Sequence, residues 1–223
     1  MKEKYIIFSS LAACICLYFI EQYFAASYVV KTLSKLILFI ALPMIYIKFI
    51  NRTSISEELK LKQLDKKRLR LGFIFGLACF IIILAAFFIF RGFMDLDSIA
   101  MDLQQKNITS ANFILIGLYI TFGNSFLEEF FFRGFIFLNL YNKKNTKLAY
   151  VYSSLLFGLY HIAIFKTWFS LGLIMLCLFG LISVGFIFNW LNTKSNNFIN
   201  SWLVHIFADA AIIIIGLRMF NML

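Results

Sequence analysis

Seven apolar runs alternate with short polar segments along the chain, at about 5–24, 31–50, 71–90, 112–140, 147–165, 168–190 and 198–219. A helix needs roughly 20 residues to cross about 30 Å of hydrocarbon at 1.5 Å per residue. The pattern therefore predicts an all-α protein, a polytopic transmembrane helical bundle with seven spans. The fourth run is about 29 residues long and is expected to tilt or break near Gly123. The second holds the only proline, Pro43, where a kink is expected because proline removes a helical hydrogen bond. The longest polar stretch, 51–70, reads as a short amphipathic connection at the surface. No internal repeat, low-complexity tract or soluble domain interrupts the pattern.

Composition narrows the class. The 223 residues are 62% hydrophobic and 14% charged, where soluble domains carry about 25% charged residues. The net charge of +10 would raise nucleic-acid binding in a soluble protein. Here the basic residues lie between apolar runs, so membrane topology explains them and no nucleic-acid partner is expected. With the N-terminus in the cytoplasm, 14 Lys and Arg fall inside and six outside, Arg133 being set aside within a span. That tally favours N-in, C-out. Cys14, Cys16, Cys79 and Cys177 all sit in apolar runs without metal spacing, so no disulfide framework is expected. Leu11-Ala12-Ala13-Cys14 resembles a lipoprotein cleavage box, but the following residues stay apolar, which favours a retained first span. Trp168 and Trp190 bracket the sixth span as interfacial anchors, and Trp202 reads either as an anchor or as a residue shaping a site. Gly72, Gly76, Gly180 and Gly185 are candidates for close helix approach.

The candidate chemistry lies in charges that membrane insertion penalises. A charged group at a span centre costs about 2.5–3.5 kcal/mol on insertion scales. Glu128, Glu129, Arg133, His161, His205 and Asp209 all lie in or against apolar runs, and both histidines of the chain are among them. Glu129 and Arg133 are four apart and share a helical face, as do His205 with Asp209 and Phe157 with His161. Glu128 points about 100° away from Glu129, so one carboxylate can pair with Arg133 while the other faces a cavity. Three helices thus offer polar side chains to one internal site. Counted along the spans, His161 falls nearer the outer third than His205, so one shared site requires span five to be tilted or offset.

Three segments resemble the CPBP family, the CAAX proteases and bacteriocin-processing (Abi) enzymes. Leu127-Glu128-Glu129-Phe130-Phe131-Phe132-Arg133-Gly134 is similar to its E-E-x-x-x-R motif. Phe157-Gly158-Leu159-Tyr160-His161 resembles its F-x-x-x-H, and His205-Ile206-Phe207-Ala208-Asp209 its H-x-x-x-N/D. The resemblance divides the chain into N-terminal spans with a basic cytoplasmic loop over 1–110 and a catalytic transmembrane core over 111–223. It implies an intramembrane peptide hydrolase in which Glu128 activates a water and His161 helps to hold it. His205, assisted by Asp209, would donate to the oxyanion, while Glu129, Arg133 and Phe157 support the site. Asp209 stands where some members carry Asn; it either holds a proton, orients His205 or supports a metal. A divalent metal such as zinc, held through Glu128, His161 and His205 as in a metalloprotease, stays open beside a metal-free mechanism. The expected partners are membrane lipids and a membrane-associated peptide or prenylated protein. The expected location is a bacterial cell membrane. A non-catalytic protein conferring bacteriocin immunity or scaffolding a partner is the alternative, and an ion-coupled transporter the third reading.

Overall fold

The computed structural model describes residues 2–24, 27–54 and 66–223. Among these residues the chain is helical, with no strand. We label the elements α1 (Lys2–Gln22), α2 (Tyr28–Ile45, continued by a π-helical turn Tyr46–Asn51), α3 (Lys66–Phe90), α4 (Leu96–Gln105), α5 (Phe113–Asn142), α6 (Thr146–Phe165), α7 (Leu171–Ser195) and α8 (Ile199–Met219). Seven of them are long and apolar enough to cross a membrane, and α4 is a short helix between the third and fourth. The protein is an integral membrane, all-α bundle, with span limits within a few residues of those read from hydropathy. The polar stretch 51–70 lies for the most part outside the described residues.

The expected irregularities in spans two and four take the form of altered helical register. After Pro43 removes a donor from the α2 ladder, the helix widens into the π turn Tyr46–Asn51. In α5 the α-helical hydrogen bonds give way to π-type bonds over Tyr119–Asn124, which includes Gly123, and again over Phe130–Phe137. The five α-helical residues between them, Ser125–Glu129, carry both glutamates. Such π segments are uncommon and frequently accompany functional sites. The long fourth span is thus continuous, with its register shifted on either side of the motif.

Packing divides the bundle around α5 and α6. The α1 helix docks on α6, where the Ser10 and Tyr152 hydroxyls lie 2.8 Å apart and Gln22 donates to the Ala163 carbonyl at 2.6 Å. Stacked and edge-on rings join α2, α5 and α6, with Phe39 on Phe131 at 4.0 Å and Phe132 against Phe157 at 5.3 Å. Polar side chains tie the remaining helices. Asn189 of α7 donates to Ser154 of α6, and Asn192 donates to Ser201 of α8. Gly76 of α3 faces the Phe207 ring and Gly185 of α7 faces the Ser154 backbone, so both permit the close approach expected of them. Gly180 has nothing within 4 Å of where a Cβ would stand, and mediates no such contact. All four cysteines are free.

One end of the bundle is closed by charges. Glu21 pairs with Lys31 at 2.6 Å and lies 3.6 Å from Lys106, whose ammonium meets Asp102 at 2.8 Å. Trp168 also donates to Asp102, at 2.6 Å. These contacts join α1, α2, α4 and the turn between α6 and α7.

Candidate active site

Glu128, Glu129 and Arg133 of α5 are buried, with relative exposures of 1%, 0% and 0%. Two carboxylates side by side in an apolar bundle require distinct compensation. They receive it from opposite directions, as the 100° step between consecutive helical residues dictates.

Glu129 turns toward Arg133 and α8. Its Oε1 accepts from Arg133 Nη1 at 3.0 Å and meets His205 Nδ1, also at 3.0 Å. The Arg133 guanidinium lies between two rings, 3.9 Å from the centre of Phe157 and 4.8 Å from that of Phe188. Burial among aromatic faces strengthens a cation–π contact. The same two rings flank His205 at 6.0 Å and 5.9 Å, and Phe157 also packs against His161 at 4.4 Å. Glu129, Arg133, Phe157 and Phe188 therefore fix the histidine rings.

Glu128 turns the other way, and its two oxygens have different surroundings. Oε1 accepts from Lys35 Nζ at 3.0 Å, from Asn124 Nδ2 at 3.0 Å and from the Tyr160 hydroxyl at 3.4 Å. Oε2 has no hydrogen-bond partner among the described residues. It is faced by His161 Nε2 at 3.5 Å and His205 Nε2 at 3.8 Å. Asp209 Oδ1 stands 3.8 Å from the same His205 nitrogen, while its Oδ2 is buried without a hydrogen bond among the described residues.

The ring orientations follow from the partners of Nδ1. His161 Nδ1 lies 2.7 Å from the Phe157 carbonyl, which can only accept, so this nitrogen donates and Nε2 is directed at Glu128. Glu129 imposes the same arrangement on His205. Side chains of three helices thereby converge, with the Nε2 atoms of His161 and His205 both directed at Glu128 Oε2. Glu128, His161 and His205 have the donor chemistry for a divalent ion, with their Nδ1 atoms anchored as metal-binding histidines usually are. Among the described residues, however, no three His, Cys, Asp or Glu side chains are already drawn in to hold an ion.

The motif residues thus meet despite their unequal positions along the spans. Depth counted along each span by itself does not forecast that contact, which His161 Nε2 makes with Glu128 Oε2 at 3.5 Å. Sequence reasoning missed four members of the site: Lys35, Asn124, Tyr160 and Phe188. Trp202 packs beside the glutamate-bearing turn, where its Nε1 donates to Ser125 at 3.1 Å and its ring lies edge-on against Phe126.

The glutamates and histidines thus cluster inside a bundle with seven helices long and apolar enough to cross a membrane. Residues 110–211 match the family described as Type II CAAX prenyl endopeptidase Rce1-like. This is the CPBP family that the three motifs resemble, and the matched segment, just under half the chain, contains every motif residue. At the level of the family it supports a peptide hydrolase of the CAAX protease type. UPF0177 protein YxdF of Lactococcus lactis subsp. lactis (strain IL1403) is 38% identical over 78 residues, 35% of this chain. The aligned part spans 37% of that relative's length. No solved structure matches the chain.

Proposed function

We propose that the protein is an intramembrane endopeptidase that cleaves a membrane-associated or prenylated peptide or protein with a water activated by Glu128. The observation that carries this reading is the asymmetry of the Glu128 carboxylate. One oxygen accepts from three donors; the other makes no hydrogen bond among the described residues and faces two imidazole nitrogens.

A water at that position gives a proton to Glu128 Oε2 while its oxygen attacks the substrate carbonyl carbon. His161 Nε2 accepts the second hydrogen bond of the water and holds it in line. The carbonyl π-electrons move onto oxygen, and His205 with a protonated Asp209 meets the resulting oxyanion. Donation by His205 requires both of its nitrogens to carry hydrogen, and the Glu129 carboxylate at its Nδ1 faces that charge. Donors fixed in a water-poor site stabilise an oxyanion more strongly than water does. Glu128 then returns its proton to the leaving amine as the C–N bond breaks, which yields a carboxylic acid and an amine. A divalent ion such as zinc, if bound through Glu128, His161 and His205, would add Lewis acidity at the same place.

The excess of Lys and Arg on one side supports an N-terminus in the cytoplasm, and we place the protein in a bacterial cell membrane. The test is cleavage of prenylated CAAX-tailed peptides and hydrophobic peptide precursors by purified protein in ¹⁸O-labelled water, read by mass spectrometry. One labelled oxygen in the new carboxyl group is expected. No cleavage of any of these substrates, or cleavage by Glu128→Gln at the wild-type rate, would refute the reading.

A further inference from the structure

Lys35 stands inside α2, four residues beyond Lys31, where membrane insertion penalises a cation. Lys31 is engaged at the end of the bundle by Glu21, whereas Lys35, one turn further into the span, reaches the buried Glu128. Its ammonium donates to Asn124 Oδ1 at 2.6 Å and to Glu128 Oε1 at 3.0 Å, and lies 5.3 Å from the centre of the Tyr160 ring. Asn124 closes the triangle by donating its own amide to the same glutamate oxygen at 3.0 Å. Asn124 is the last residue of the first π segment of α5, one turn before Glu128. The register shift and the lysine thus act on the same carboxylate from two helices.

We propose that Lys35 is a positioning residue for the water-activating carboxylate. With Asn124 it fixes Oε1 and leaves Oε2 directed at His161 and His205. The inference rests on the reading of Glu128 as the base. Lys35 lies outside the segment 110–211 that matches the family, so the N-terminal spans contribute to the site. A role as anchor for a substrate's terminal carboxylate fits the distances poorly. In a CAAX tail that carboxylate lies three residues past the cut, about 10 Å away at 3.3–3.6 Å per residue, whereas Lys35 touches Glu128 itself.

The experiment uses the full chain in lipid nanodiscs. Infrared difference spectra between wild type and Glu128→Gln identify the Glu128 carboxyl band. Lys35→Met is expected to shift that band, because a charged donor is lost. With a farnesylated CAAX-tailed peptide that the wild type cleaves, Lys35→Met lowers kcat by about 10²-fold, the scale of a misplaced catalytic group, and leaves KM within about twofold. Lys35→Arg recovers most of kcat. Should Lys35→Met fail to fold, Asn124→Ala removes the other donor and carries the same expectation. An unshifted band or an unchanged kcat in a folded variant overturns the proposal. If Glu128→Gln is inactive while Lys35→Met matches wild type, this inference alone falls. If Glu128→Gln retains turnover, the base assignment falls and this inference with it.

Discussion

His161 Nε2 and Glu128 Oε2 face each other at 3.5 Å across the gap between α6 and α5, with His205 Nε2 at 3.8 Å, and no hydrogen bond among the described residues reaches that oxygen. The motif histidine and the motif glutamate therefore share a position open to a third species. His161→Ala is expected to reduce turnover by about 10²–10⁴-fold, the usual contribution of a positioned acid–base group, without loss of folding. Steady-state cleavage alongside thermal unfolding in detergent tests this. A folded and fully active variant would remove His161 from the mechanism.

Arg133 and Glu129 form a fully buried pair at 3.0 Å. Removing one member leaves an uncompensated charge and costs about 3–5 kcal/mol. Arg133→Met alone should therefore lower the unfolding temperature sharply. The double variant Glu129→Leu with Arg133→Met should recover much of that stability but no activity, because His205 loses its Nδ1 anchor. Recovery of activity in the double variant would show that Glu129 does not orient His205.

Helix approach separates two glycines of α7. A Cβ on Gly185 would stand 3.1 Å from the Ser154 Cα, and backbone cannot swing aside as a flexible side chain can. Gly185→Ala should destabilise by about 1–3 kcal/mol, as overpacking does. Gly180 faces open space, so Gly180→Ala should be neutral or stabilising by up to about 1 kcal/mol through helix propensity. Thermal unfolding of both variants checks the contrast, and equal effects would contradict the packing described.

Asp102, outside the spans, gives a pH dependence of known sign. Partial burial pushes its carboxyl pKa up, but hydrogen bonds from Lys106 and Trp168 and the charges of Lys106 and Lys31 outweigh it and hold the value below the ordinary 3.8. A carboxyl depressed on folding stabilises above its unfolded pKa, and that contribution is lost as pH falls through the folded one. Wild type should therefore be more stable than Asp102→Asn at neutral pH, with the difference vanishing in acid below the usual carboxylate range. Unfolding temperatures measured against pH for both proteins would show it. A gap that persists unchanged into acid would mean that Asp102 acts by packing.

The sequence made the spans legible because each apolar run matches a bilayer. It made the motif half of the site legible because residues four apart share a face, which paired Glu129 with Arg133 and His205 with Asp209. Asn124 obeys that same spacing upstream of Glu128, and the signal was available there. Lys35 was harder: near the start of a hydrophobic run, a lysine looks like a topology charge, and only packing shows that it turns inward. Phe188 is one of 29 phenylalanines and carries no local mark of its place beside Arg133. The π segments depend on backbone register, to which composition is nearly blind, although Gly123 and Pro43 pointed to the spans concerned. The approach of His161 to Glu128 depends on packing between helices, which residue spacing along one helix does not report.

The central claim is that Glu128 activates the attacking water. The most direct measurement compares turnover of a cleaved prenylated peptide by wild type and by Glu128→Gln in the same detergent, each with and without a chelator. The account predicts that Glu128→Gln folds and loses turnover by at least about 10³-fold, since the amide cannot take the proton. Activity of wild type that survives chelation would assign the activation to the carboxylate alone, and activity lost on chelation would add a metal held by the same residues. Turnover by Glu128→Gln at the wild-type rate would contradict the account.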